Sequence, residues 1–116
     1  MNLEQLKYYL LTKTESTQDF PFGADVYVFK VKKKMFALIG HREGKMMLNL
    51  KCDPDESWML RDIFPAITPG YHMNKLLWIS IYFDGTVPES EVERLIDNSY
   101  QLVVNTLSKK LQLSLL

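Results

Sequence analysis

Apolar positions along this chain follow a helical spacing near both ends and a strand-like spacing between them. Leu3, Leu6, Tyr9 and Leu10 recur every three or four residues, giving a first helix one apolar stripe, with Asn2 placed to cap it. From Thr12 to Ala24 the period dissolves into polar residues. It closes on Asp19-Phe20-Pro21-Phe22-Gly23, where Pro and Gly set a turn that the two aromatics are expected to anchor. Three short runs rich in branched and aromatic residues follow: Val26 to Val31, Met35 to Gly40 and Met46 to Lys51. They are separated by Lys32-Lys33-Lys34 and by His41-Arg42-Glu43-Gly44-Lys45. This spacing predicts an antiparallel meander. In the first run Val26, Val28 and Lys30 alternate with Tyr27, Phe29 and Val31, so one face is wholly apolar and the other ends in a charge.

Asp53-Pro54-Asp55-Glu56 reads as a helix start, with Asp53 as cap, Pro54 in the first turn and Glu56 reaching back. The helix is expected to end near Asp62. Ala66 to Lys75 is then a polar connection, and Leu76 to Phe83 a strand of central character stopped by Asp84-Gly85. Pro88 opens a long final helix on which Val92, Leu95, Ile96, Ser99, Val103 and Leu107 share a face. The pattern predicts an α+β fold, a two-layer sandwich in which helices cover one face of an antiparallel sheet. The tail from Leu111 to Leu116 alternates leucine with polar residues, which fits an edge strand, a helix extension or a dimer contact.

With 116 residues, 47% of them hydrophobic, the chain supports one core, so residues 1–116 are read as a single domain. Cys52 is the only cysteine, which rules out an intrachain disulfide and a thiolate-rich zinc site. The polar N-terminus lacks a signal pattern and no apolar run reaches membrane-spanning length. The expectation is a cytoplasmic protein away from membranes, a monomer or weak dimer. Formal net charge is zero, but its distribution is uneven. Asp25 to Lys51 carries seven basic residues against two acids, a net +5; Cys52 to Asp97 carries three against nine, a net −6.

Two groups of residues are candidates for function. Lys32, Lys33 and Lys34 in one expected hairpin tip, with Arg42 and Lys45 in the next, are placed to touch the phosphates of a duplex from one side. Lys75 adds to them and Lys51 flanks them. The same lysines also serve solubility and edge protection. With a single arginine among them, base readout is expected to be weak. The second group is Pro69-Gly70-Tyr71-His72-Met73-Asn74-Lys75, in which Tyr71, His72, Asn74 and Lys75 form an anion or ligand pocket beside Trp78 and Tyr82. Its structural alternative is that these groups satisfy the loop's own backbone. Cys52 with His72 or His41 is the only nucleophile–base pairing to consider, and nothing in the spacing supports it, so no enzyme is expected. Cys52 precedes a helix start, which tends to lower a thiol's pKa. Glu89, Glu93 and Asp97 form a row read as a solvated face rather than a metal site. Met35, Met46, Met47 and Met59 are assigned to core positions, and no cofactor is expected.

Taken in order, Asp19-Phe20-Pro21-Phe22-Gly23, Val28-Phe29-Lys30-Val31, Lys34-Met35-Phe36-Ala37, Asn49-Leu50-Lys51-Cys52-Asp53-Pro54, Pro69 to Lys75 and Asp84-Gly85-Thr86-Val87-Pro88 resemble the MmcQ/YjbR family of small bacterial proteins. Leu95-Ile96-Asp97-Asn98-Ser99-Tyr100 extends the likeness into the final helix. The resemblance implies a frataxin-like α+β fold with projecting hairpins described as a double wing, for which DNA binding has been suggested; that suggestion is an analogy of fold. A protein or small-molecule partner stands as the alternative. One departure is visible: family members often carry a His directly before the Trp that follows the Asn-Lys pair, and here Leu77 precedes Trp78.

Overall fold

The computed structural model describes residues 1–116. Asn2 accepts a hydrogen bond from the Gln5 amide and donates its own amide to the Gln5 side chain, so the first helix, α1 (Leu3–Leu11), starts on a complete capping box. Six strands form one sheet: β1 (Thr17–Asp19), β2 (Tyr27–Val31), β3 (Lys34–Arg42), β4 (Lys45–Lys51), β5 (Ile67–Pro69) and β6 (Trp78–Tyr82). Their spatial order is β1-β2-β3-β4-β6-β5, with every neighbouring pair antiparallel. Between β4 and β5 lies α2 (Pro54–Ile63), and the chain ends in α3 (Glu89–Val104) and α4 (Lys109–Leu113). The architecture is the expected α+β sandwich.

Alternation sorts the strands as the sequence suggested. Phe29, Val31, Ile39, Leu48, Leu50, Ile79 and Ile81 point to the helices and join Leu6, Leu10, Val92, Leu95, Ile96 and Val103 in one buried core. Phe36 is an extra residue in β3: Phe29 pairs with Ala37 and Lys30 with Met35. This bulge turns both Phe36 and Ala37 toward the core. Its carbonyl accepts from Ser99 Oγ of α3 at 2.6 Å, and the same hydroxyl accepts the Lys51 amide at 2.9 Å. A buried serine thus satisfies an irregular strand and sets the register of α3 on the sheet.

Several boundaries differ from expectation. The meander turns contain only Lys32-Lys33 and Glu43-Gly44, all four at positive φ, because this two-residue geometry matches strand twist and lets the ladder run to its end. Lys34, His41, Arg42 and Lys45 are therefore strand residues, not tip residues. β1 and β5 lie within segments read as loops. Neither has a period of its own, and both exist because β2 and β6 offer an unpaired edge. Asp53 caps α2 by accepting the Asp55 and Glu56 amides, but Glu56 turns instead to Arg94 and Asn98 of α3. The tail is neither an edge strand nor part of α3: α4 is a separate short helix capped by Ser108, and Leu115 packs against the core. Met59, assigned to the core, is 64% exposed. No helix is long and apolar enough to cross a membrane.

Candidate ligand groove on the open face of the sheet

The face of the sheet turned away from the helices carries Val28, Leu38, Gly40, Met47, Asn49 and Ser80. Two of these are polar and fully buried, Asn49 at 1% exposure and Ser80 at 0%. They are buried by the connection between β5 and β6, which folds back over the sheet. Asn49 Nδ2 donates to the Tyr71 carbonyl at 3.1 Å, the Tyr71 amide donates to Ser80 Oγ at 2.8 Å, and Ser80 Oγ donates to Asn49 Oδ1 at 2.5 Å. Every polar group in this triangle has a partner, and the loop backbone is pinned at Tyr71.

Gly70 makes that fold-back possible. A Cβ there would lie 2.7 Å from Trp78 Cβ and 3.1 Å from the Trp78 carbonyl, to which the Gly70 amide donates at 2.9 Å. His72 then takes a left-handed backbone, φ 58°, which directs the chain back toward β6. Asn74 and Lys75 complete the loop internally. Asn74 Oδ1 accepts the Leu76 amide and Lys75 Nζ donates to the Gly70 carbonyl at 2.8 Å. For Asn74, Lys75 and the backbone of Tyr71, the structural alternative holds. Leu77 accepts the Cys52 amide through its carbonyl.

The side chains of Tyr71, His72 and Met73 do something else. They form one wall of a groove of about 330 Å³ whose opposite wall is Phe22 and Val26 from the connection before β2. Its floor is Leu38, Gly40, Met47 and Asn49, with Met35 and His41 also lining it. Phe22 does not anchor its loop; it stands 66% exposed at the groove edge, while Phe20 packs edge-on against Tyr27 at 5.3 Å. Arg42, two residues beyond Gly40 on the same face, lies 4.0 Å over the Tyr71 ring and donates to the Tyr82 hydroxyl at 3.0 Å. Tyr71 in turn meets the His72 ring at 4.0 Å. The stack Arg42–Tyr71–His72 makes that wall stiff. Trp78 is not among the lining residues, so the expected pocket exists on the Gly40 side of the loop and not beside Trp78.

The basic residues do not converge. In an antiparallel meander successive turns lie at opposite ends, so Lys32-Lys33 and Glu43-Gly44 are separated by the length of β3, about 27 Å at the usual rise per residue. Several charges are also engaged. Lys32 pairs with Glu15 at 2.8 Å, Lys34 donates to Thr106, and Arg42 is held by its two tyrosines. Lys33 and Lys45 form no ion pair.

The remaining candidates fall on the other layer. Cys52 is buried and lines a helix-side groove with Asp53 and Glu56, away from His41 and His72. Desolvation, reinforced by those two carboxylates, pushes its thiol up to about 12, opposite to the expected effect of the helix start. Asp97 accepts from the Tyr9 hydroxyl and from Lys13, so the row with Glu89 and Glu93 is broken.

The family model described as YjbR matches residues 11–102. The chain belongs to the YjbR family. It is similar to the uncharacterized protein YbdF of Escherichia coli O157:H7, 43% identical over 91 residues, which cover 78% of this chain and 75% of that protein. It is also similar to the uncharacterized protein YjbR of Escherichia coli K12, 30% identical over 110 residues, with 95% and 93% covered. Among solved structures, a Deinococcus radiodurans protein of the DUF419 domain superposes with a TM-score of 0.90 at 34% identity, over 98% of this chain and 87% of that one. A Pseudomonas syringae protein superposes with a TM-score of 0.77 at 31% identity, over 88% and 98%. In this YjbR-family chain the motif from Pro69 to Lys75 therefore has a structural half, in Gly70, Asn74 and Lys75, and a groove-lining half, in Tyr71, His72 and Met73. Sequence reasoning missed the rest of the lining. The available signal was Asn49, a polar residue in an otherwise apolar strand.

Proposed function

We propose that this protein is a non-enzymatic cytoplasmic binding domain that holds a small molecule in the open-face groove. The observation that carries the reading is the groove's construction: a floor of sheet residues between two loop walls, one of them fixed by a fully satisfied buried triangle and an arginine–aromatic stack. Its volume falls at the lower end of the range for small-molecule sites, and its lining is mostly apolar with a few polar groups, as such sites are. Gly40 is the point of entry for a test. A Cβ there meets Leu38 and Met47 at 3.7 Å, ordinary contact, so the position accepts the first atom of a side chain, and Gly40→Val, its fold checked by circular dichroism, intrudes on the groove from its floor. Phenylnaphthylamine, a neutral dye that fluoresces on leaving water, is the probe. Saturable binding by the native protein, lost in Gly40→Val and weakened in the exposed wall variant Phe22→Ser, is the expected result. Absence of saturable binding, or equal binding by both variants, overturns the reading.

Contact with nucleic acid is the second reading, favoured by Lys33 and Lys45, which form no ion pair. With the turns at opposite ends of β3, a duplex must lie along the strand direction rather than across two adjacent tips. Fluorescence anisotropy of a labelled duplex at two salt concentrations tests it. Binding that falls with salt and is lost in Lys33→Glu/Lys45→Glu supports it, and no binding at low salt removes it.

A further inference from the structure

Charge is distributed unequally among the surface grooves. Two on the helix side carry carboxylates, Asp53 and Glu56 in one and Glu4, Glu89 and Glu93 in another, whereas the one between α3 and α4 carries Lys109 and no Asp or Glu. The open-face groove has none among its lining residues. Its unspent polar groups are the Tyr71 hydroxyl and the His72 ring; Tyr71 uses only its backbone in hydrogen bonds. Strand alternation continues the floor in a definite direction. On β3 Leu38 and Gly40 lead to Arg42, and on β4 Asn49 and Met47 lead to Lys45. Arg42 and Lys45 are direct cross-strand partners, two like charges set opposite each other at one end of an apolar trough, an arrangement that costs stability by itself. Two carboxylates act on this pair through space, Glu43 on Arg42 and Asp84 on Lys45, but neither closes on it as an ion pair. Glu43 sits in the intervening turn and forms no ion pair. Asp84 accepts both the amide and the hydroxyl of Thr86, which hold its carboxyl below the usual range.

We infer that the groove takes a compound with a flat apolar body and one anionic group, the body lying over Gly40 between Phe22 and Tyr71 and the anion toward the Arg42–Lys45 end. An anion there relieves the repulsion between the two cations, while the thioethers of Met35, Met47 and Met73 offer the polarizable, adaptable contact that suits a planar ring. This rests on the groove being the binding site, and it names the chemistry of the occupant.

The test compares two dyes with the same ring system, neutral phenylnaphthylamine and anilinonaphthalenesulfonate, on the native protein, Lys45→Gln and Arg42→Gln. In Lys45→Gln the sulfonate is expected to lose about five-fold in affinity while the neutral dye is unchanged. The native preference for the sulfonate should also weaken as salt rises. Arg42→Gln is expected to weaken the sulfonate more than the neutral dye. If the neutral dye binds in a Gly40-dependent way but neither charge variant affects the sulfonate selectively, the anionic class is wrong and the groove reading stands. If neither dye binds saturably, the groove reading itself fails.

Discussion

The two faces of one sheet solve different problems with the same strands. On the helix face, Phe29, Leu48, Leu50, Ile79 and Ile81 are fully or almost fully buried against the helices, and the packing is apolar apart from the Ser99 hydroxyl at the bulge and the buried Ser57 of α2. On the open face the same strands present Gly40, Met47, Asn49 and Ser80, which a loop and neighbouring side chains bury, while Leu38 beside them is left partly open. The first face stabilises the fold by removing apolar surface from water. The second uses directional hydrogen bonds to fix a loop and leaves beside it a groove that side chains do not fill. A domain of this size has one large core, and the groove lies on the face of the sheet that this core does not use.

The sharpest way to break this comparison is to truncate one residue on each face. Phe29→Ala is expected to cost about 3–5 kcal/mol, and Leu38→Ala, only partly buried in the groove floor, about 1–2 kcal/mol. Denaturant unfolding of both variants checks it; equal losses would mean that the open face is as much a core as the other. Next in size is Ser80→Ala, which strands the Tyr71 amide and an Asn49 acceptor and should cost about 1–3 kcal/mol. Hydrogen exchange should quicken at Tyr71 while the amides of α3 stay protected, whereas uniform quickening would show that the triangle supports the whole fold and not the loop.

A smaller, opposite effect is expected at the turn between β2 and β3. Lys32 and Lys33 hold φ values of 49° and 68°, a region that costs an ordinary L-residue about 1–2 kcal/mol. The double change Lys32→Asn/Lys33→Gly should raise stability by about 1 kcal/mol after loss of the Lys32–Glu15 pair. Thermal unfolding decides, and a lower midpoint would show that this ion pair outweighs the backbone strain.

The last prediction concerns Cys52. Burial places its thiol at about 12 against an ordinary value of 9, so the native protein should resist a thiol-reactive reagent at pH 8 and react once unfolded. A raised pKa favours the neutral form in the folded state. Its contribution to stability is thus fully present below the unfolded value and lost as pH rises through about 12. Rapid labelling of the native state would place the thiol outside the core.

Much of the fold was legible because its long elements carry their own periods. The stripe of α1, the capping residue of α2, the face of α3 and the alternation of β2 each follow from local spacing and survive tertiary assembly unchanged. β1 and β5 were not legible, since three residues hold no period and only a neighbour's unpaired edge makes them strands. The lysine tips misled in a specific way. Treating Lys34, Arg42 and Lys45 as loop residues hid the fact that consecutive turns of a meander point in opposite directions. Of the candidate site, the Pro69 to Lys75 run was singled out by its composition, but its division between Gly70, Asn74 and Lys75, which build the loop, and Tyr71, His72 and Met73, which face the groove, depends on which side chains the folded loop turns inward.

By itself, then, the sequence determined the helices, the central strands, and which of their side chains enter the core, because hydrophobic period and capping chemistry act over a few neighbouring residues. Only the tertiary structure decided that Phe36 forms a bulge held by Ser99, that Asn49 and Ser80 seize Tyr71 from 22 and 9 residues away, and that Phe22 stands across Gly40 from His72. Those outcomes rest on contacts between distant segments, whose partners are chosen by the packing of the whole chain and leave no trace in any local window.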